Sequence, residues 1–283
     1  MDLYNFYIQE DIIYSSLYLL LLMLRSIQRI RPRVIVTDWD ETVTISDTIS
    51  LVAQTAYNSK PQFSPPFDHF TKKYMDAYSE YSRQFNEANG ERTITNEPQF
   101  QHGMRLVELT SINEIVRLGL FSGVPRDDFK SQASKIQLRP GFTQFLTHCR
   151  ELAIPVEILS INWTSLLIKE CLILHGFDDV KVVVNELEFE NDICTGRWLL
   201  EPVVRTALDK LKYIESLGND IMYVGDSGTD LLAILEARWG VVMEGTTLID
   251  GLNKLGVSHG KVGDDKEVSV GNWKDIDEYL GEI

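Results

Sequence analysis

Three stretches of the chain share one hydrophobic and polar plan. A short apolar run ends in a polar turn and leads into a helical repeat. Val34 to Val36 runs out at Asp38, and Val156 to Leu159 ends in Ser160. Ile221 to Val224 ends in Gly225-Asp226. Helical spacing follows the second run through TSLLIKECLILHG to Gly176, and the third through DLLAILEARWG. Strands that alternate with helices predict a parallel sheet with helices on both faces and ligands at the carboxyl ends of the strands. Further strands fit Val180 to Val184 and Gly240 to Met243, for five in the core. The strand over Lys181 to Asn185 is followed by EFENDICTGRW, which reads as a short ribbon, and a helix is expected from near Pro202. The fold class is α/β, with a Rossmann-like parallel sheet as its core.

A different periodicity occupies residues 46–135. Phe67, Phe70, Tyr74, Tyr78, Tyr81 and Phe85 step by three or four and so fall on one helical face. Asn96-Glu97-Pro98 marks a break, because proline cannot continue a helix begun before it. Helical spacing resumes from Met104 to Leu120. An aromatic stripe of this kind is core, so the insert reads as a small helical domain placed over the strand ends. The catalytic core would then be discontinuous, residues 34–45 and 136–283. Residues 1–33 are apolar and then basic. Ile12 to Leu24 covers only part of the roughly 20 residues a membrane span needs. Acidic Asp2, Glu10 and Asp11 stand before it, where a signal peptide would carry positive charge. The segment reads as a helix packed on the domain, with membrane association through residues 12–24 as the alternative.

Composition narrows the partners. A formal net charge of -15 argues against nucleic acid and anionic membrane surfaces. Three cysteines without close pairing argue against a disulfide framework or a zinc site, which suggests a reducing, cytoplasmic setting. A small phosphorylated metabolite remains possible, because a local cation overrules distant charge.

The chemistry gathers at the three strand ends. Asp38 and Asp40 with Thr42 come from the first, Ser160 from the second, and Asp226 with Asp230 from the third. Like charges so close together cost energy unless something positive sits between them. Hard oxygen ligands without His or Cys suit Mg²⁺. Lys210 would add a second cation, with Lys212 as its near competitor. A phosphoryl group meeting such a clamp is stabilised where charge develops during transfer.

Asp38-Trp39-Asp40-Glu41-Thr42, then Ser160, Lys210 and Gly225-Asp226-Ser227-Gly228-Thr229-Asp230, resembles the four-motif signature of the haloacid dehalogenase superfamily. The order, the strand-end placement and the insert after the first motif agree with it. The resemblance implies that Asp38 is the nucleophile and forms an aspartyl phosphate. Asp40 would be the acid that becomes the base, a feature of the phosphatase branch that dehalogenases lack. Mg²⁺ would be held by Asp38, the Asp40 main-chain carbonyl and Asp226, with Asp230 orienting them from outside. Ser160, Asn162, Lys210 and Thr42 would surround the phosphoryl oxygens, and the helical insert would be a cap.

The insert's size resembles that of phosphoserine phosphatases, although Ile161-Asn162-Trp163 stands where those enzymes place small residues. LSINWT, DKLKYIESLG and YVGDSGTDLLAILEARWGVVM are similar to the phosphatase domain of plant TenA-fused thiamin monophosphate phosphatases, which implies that metabolite or a relative as substrate. A phosphotransferase and a non-catalytic binding protein on the same fold are the alternatives. Asp47 and Thr48 either reach the substrate or cap the next helix, and Trp39 either limits closure of the cap or packs beneath it.

Overall fold

The computed structural model describes residues 31–264 and 266–283. The apolar segment of residues 12–24 lies outside the described residues. Among those described, no helix is long and apolar enough to cross a membrane.

Seven parallel strands form the sheet. They are β1 (Val34–Thr37), β2 (Val156–Leu159), β3 (Lys181–Val183), β6 (Ile221–Gly225), β7 (Trp239–Met243), β8 (His259–Lys261) and β9 (Val268–Gly271). Their order is β3-β2-β1-β6-β7-β9-β8, and β4 (Leu187–Glu190) pairs with β5 (Ile193–Trp198) in a separate antiparallel ribbon. The five expected strands and the ribbon are therefore present. Strands β8 and β9 are additions to the reading. β8 is a short polar strand at the rim of the sheet, and β9, between it and β7, is only four residues long with its valines alternating, so no continuous apolar run announced them.

Successive residues of a strand point to opposite faces. Ile35, Met222 and Val224 enter the core on one side of the sheet, while Val34, Val36 and Tyr223 enter the other. Burial on both faces is what makes these strands uninterrupted apolar runs. In the centre, Thr37 of β1 lies in register with Ile158 of β2 and Val224 of β6. The polar residues that follow these three strands are thereby brought together.

Helices over Ile49–Ser59, Asp68–Asn89, Glu97–Leu118 and Arg126–Ser131 fill the long connection between β1 and β2. The second helix carries the aromatic stripe. Phe70 and Phe85 are buried, and Tyr74, Tyr78 and Tyr81 are half-buried. The third begins seven residues earlier than its apolar spacing suggested, with Asn96 as N-cap and Pro98 in its first turn, where a missing N–H costs nothing. The insert's apolar residues divide between two cores. Phe85, Phe100, Met104 and Val107 form a separate cluster at the far end. Val52, Ala56, Phe70, Ile115 and Leu120 join the core of the sheet. Each of these side chains larger than alanine contributes roughly 1.5–3 kcal/mol on burial.

The helix expected near Pro202 spans Ala207–Leu217 instead. Thr206 and Asp209 form a reciprocal capping box that fixes its start, so the chain from Pro202 to Arg205 approaches it without helical structure.

Candidate active site

The first strand delivers Asp38 into a turn. The Thr37 hydroxyl donates to the Asp38 carbonyl at 2.9 Å, and the Asp38 N–H donates to the Val224 carbonyl at 2.9 Å. Glu41 takes a left-handed conformation, φ 55°, and the chain folds back so that Val43 and Thr44 donate to the Trp39 carbonyl. Outer residues pin the turn: Trp273 Nε1 donates to the Thr42 carbonyl and Arg139 Nε to that of Glu41. Trp39 itself is fully buried in the core beneath the turn. It packs there, which decides between the two roles open to it.

Lys210 reaches the same place from its helix and is 0% exposed. Its ammonium donates to Asp230 Oδ1 at 2.6 Å and stands 2.9 Å from Asp38 Oδ1. The second contact is an ion pair without hydrogen-bond alignment, so Asp38 Oδ1 is buried with no aligned donor. Lys212 is exposed and takes no part. Burial works against the charge on Lys210, but Asp230 and Asp38 hold its pKa above the ordinary value.

Asp230 occupies the N-cap position of the helix Leu231–Glu236, yet its side chain does not cap that helix. Oδ1 accepts from Lys210 and, at 2.7 Å, from the Tyr223 hydroxyl. Oδ2 accepts from the N–H groups of Asp226 and Ser227 and from the Ser227 hydroxyl. Burial opposes its charge, but Lys210 and these donors keep its carboxyl below the usual range. Gly225 is bare for a reason: a Cβ there would lie 2.4 Å from Asp230 Cβ.

The other acids carry the opposite shift. Burial, then Asp230, pushes Asp38 well up. The same two causes bring Asp226 to about 7. Asp40 is also raised by burial, against the pull of its hydrogen bonds. Those bonds are specific: Thr48 donates to Oδ1 from both its N–H and its hydroxyl at 2.6 Å, and Asn162 Nδ2 donates to Oδ2 at 2.9 Å. Asn162 also donates to the Thr48 hydroxyl at 3.0 Å, which closes the triangle.

Two residues expected at the phosphoryl group are thus engaged elsewhere. Asn162 holds Asp40, and the Thr42 hydroxyl donates to Asp226 Oδ1 at 2.7 Å. Thr48 does neither of the things expected of it and holds Asp40 as well. Asp47 Oδ1 accepts from the Ile49 N–H, which makes it a helix-entry residue. Ser160 is fully buried at the end of β2, its hydroxyl oxygen accepting from the Asn162 N–H. Asn185 went unnoticed in the sequence. Its buried amide donates to the carbonyls of Ile161, Asn162 and Val204 and accepts from the Val204 N–H. One side chain therefore joins the loop after β2 to the approach to the Lys210 helix.

The donor set fits a small hard cation. Oxygens of Asp38, Asp226 and Asp230 lie within 4.8 Å of one another and all three residues are buried. Asp38, Asp40, Asp226 and Asp230 share a single ammonium, and Asp38 Oδ1 lacks an aligned donor. A divalent ion answers both deficits, and oxygen-only ligands suit Mg²⁺.

Known proteins agree with this geometry. A substrate-bound phosphoserine phosphatase structure superposes with a TM-score of 0.54 at 14% identity, covering 90% of this chain and 100% of that one, which is a likeness of fold. Cold tolerance protein 1 of Saccharomyces cerevisiae is 30% identical over 238 residues, 71% of this chain and 75% of that protein. The mitochondrial bifunctional TH2 protein of Arabidopsis thaliana is 28% identical over 149 residues, 48% of this chain but 24% of its own length. A sequence profile of haloacid dehalogenase-like hydrolases matches residues 35–234, from the strand before Asp38 to the helix after Asp230. The chain belongs to the haloacid dehalogenase-like hydrolase family.

Proposed function

We propose that the protein is a Mg²⁺-dependent phosphatase that hydrolyses a small phosphomonoester through an aspartyl phosphate. The observation that carries this reading is the placement of Asp40, two residues after the nucleophile, clamped by Thr48 and Asn162 with its carboxyl pushed toward the protonated form. A carboxyl group fixed beside a carboxylate nucleophile, able to give and then take a proton, is what cleavage of a P–O bond needs.

Asp38 attacks phosphorus, and the bond to the leaving oxygen breaks as Asp40 gives it a proton. Asp40 then takes a proton from water, which attacks the aspartyl phosphate, releases orthophosphate and restores Asp38. Lys210 and Ser160 would meet the phosphoryl oxygens. Asp38, Asp226 and the Asp40 carbonyl would hold Mg²⁺, which when bound neutralises charge on the transferring group. Residues 46–135 act as the cap that excludes water and selects the leaving group. The resemblance to plant thiamin monophosphate phosphatases makes that ester the leading substrate.

A panel of phosphate esters tests the proposal: p-nitrophenyl phosphate, thiamin monophosphate, phosphoserine, pyridoxine and sugar phosphates, and nucleotides, each with and without Mg²⁺. Phosphate release that needs Mg²⁺ and is unchanged by added alcohols is the expected result. A phosphorylated alcohol would make the protein a transferase. Tight binding of an ester without turnover would make it a binding protein.

A further inference from the structure

The motifs account for Asp38, Asp40, Ser160, Lys210, Asp226 and Asp230, but not for Tyr223. This tyrosine is the third residue of β6, fully buried, with its hydroxyl 2.7 Å from Asp230 Oδ1. A phenol placed in an otherwise apolar strand has to find a partner for its O–H, and here that partner is a carboxylate of the site.

Its effect follows from counting donors. An ionised carboxylate offers about four lone-pair positions. Asp230 receives five donors: Lys210 and Tyr223 on Oδ1, and the Asp226 N–H, the Ser227 N–H and the Ser227 hydroxyl on Oδ2. Although Asp230 lies close enough to Asp38 and Asp226 to share a cation with them, it has no oxygen to spare. Its side chain is also held against the bare Cα of Gly225. Asp38 and Asp226 are less occupied, since Asp38 Oδ1 lacks an aligned donor and Asp226 Oδ1 takes one hydroxyl from Thr42.

We propose that Tyr223 is a positioning residue: by occupying Asp230 it keeps that carboxylate on Lys210 and out of the coordination sphere of the cation. This inference rests on the phosphatase reading only for its kinetic part. Mg²⁺ with two carboxylates retains open positions for water and the phosphoryl group, whereas a third carboxylate would fill one of them. Without the phenol, Asp230 Oδ1 keeps a single donor and turns to the next available positive charge, the ion.

The test is Tyr223→Phe, which keeps the ring and removes the hydroxyl. Isothermal titration of the metal-free protein with Mg²⁺ and with Mn²⁺ reads the metal site without turnover. The expected result is binding about three- to tenfold tighter than in the parent, with kcat for p-nitrophenyl phosphate lowered about tenfold or more and KM changed less. Unchanged or weaker cation binding overturns the proposal, whatever the kinetics. If the variant does not fold, Ser227→Ala removes one donor from the other oxygen and must shift affinity the same way, by a smaller factor. No change there overturns the proposal equally. A parent protein that binds Mg²⁺ but hydrolyses no ester would defeat the phosphatase reading and leave the calorimetric test intact.

Discussion

Two buried ionic clusters in this molecule are finished to different degrees. At the far end of the insert, Glu97 is 0% exposed, and Arg92 donates to both its oxygens at 2.8 and 2.5 Å while Gln101 donates a third bond at 2.7 Å. The guanidinium lies over the Phe100 ring at 4.0 Å. One charge meets one countercharge, and both carboxylate oxygens are engaged. At the strand ends, Asp38, Asp40, Asp226 and Asp230 share Lys210 as their cation among the described residues, and burial, joined at Asp38 and Asp226 by the neighbouring carboxylates, raises the pKa values of three of them. Burying a charge is costly in either place. The insert completes the neutralisation from its own residues, whereas the site leaves acidic groups without a countercharge among the described residues.

That contrast can be broken from either side. The largest effect belongs to Asp38→Asn. Turnover of p-nitrophenyl phosphate should fall by about 10⁴-fold or more. Thermal denaturation of the Mg²⁺-free protein should show no loss of stability, because a crowded negative charge has been removed. A variant that lost both activity and stability would mean that the four acids are structural.

Glu97→Ala should behave the other way. Loss of the carboxylate strands Arg92, whose side chain is 30% exposed and can still reach water, and opens a buried gap. Chemical denaturation should report a loss of about 2–3 kcal/mol. At a temperature where the variant remains folded, kcat should stay within about twofold of the parent. An order-of-magnitude fall in kcat would tie the far cluster to the chemistry.

The smallest effect is a slope. Asp226 titrates near 7 in the folded protein against an unfolded value of 3.8, so between these limits the native state holds the extra proton. Stability of the metal-free protein is therefore greatest at the acid end of that window and declines as pH rises toward 7. Asp38 and Asp40, also raised, add to the same sign. Saturating Mg²⁺ should flatten or reverse the slope, since the ion binds the deprotonated form. Melting curves from pH 4 to 8, with and without Mg²⁺, decide; a metal-free protein that grows more stable toward pH 7 contradicts the charge surplus.

The sequence carried the central part of this architecture because buried parallel strands are apolar runs and dense polar turns follow them directly. Asp38, Ser160 and Asp226 could be placed side by side from that pattern. Strands β8 and β9 could not: β8 at the rim needs no apolar run, and β9 is too short and too interrupted to show one. The start of the Lys210 helix was legible in Thr206 and Asp209, a capping box that the more conspicuous Pro202 obscured. The supports of the site were harder to see. Thr48, Asn162, Asn185 and Tyr223 act through hydrogen bonds to partners that only the fold brings near, and no spacing rule encodes such a meeting.

The order of strands also governs when the chemistry can begin. β1 comes first along the chain but pairs with Val156–Leu159 on one edge and with Ile221–Gly225 on the other. Pairings so distant along the chain form late, after the loops between them have been closed at an entropic cost. As the chain emerges from a ribosome, Asp38 appears early and waits. Lys210 and Asp226 follow only after most of the protein has been made. An unfinished chain therefore holds an acidic turn without the partners that the finished sheet sets around it.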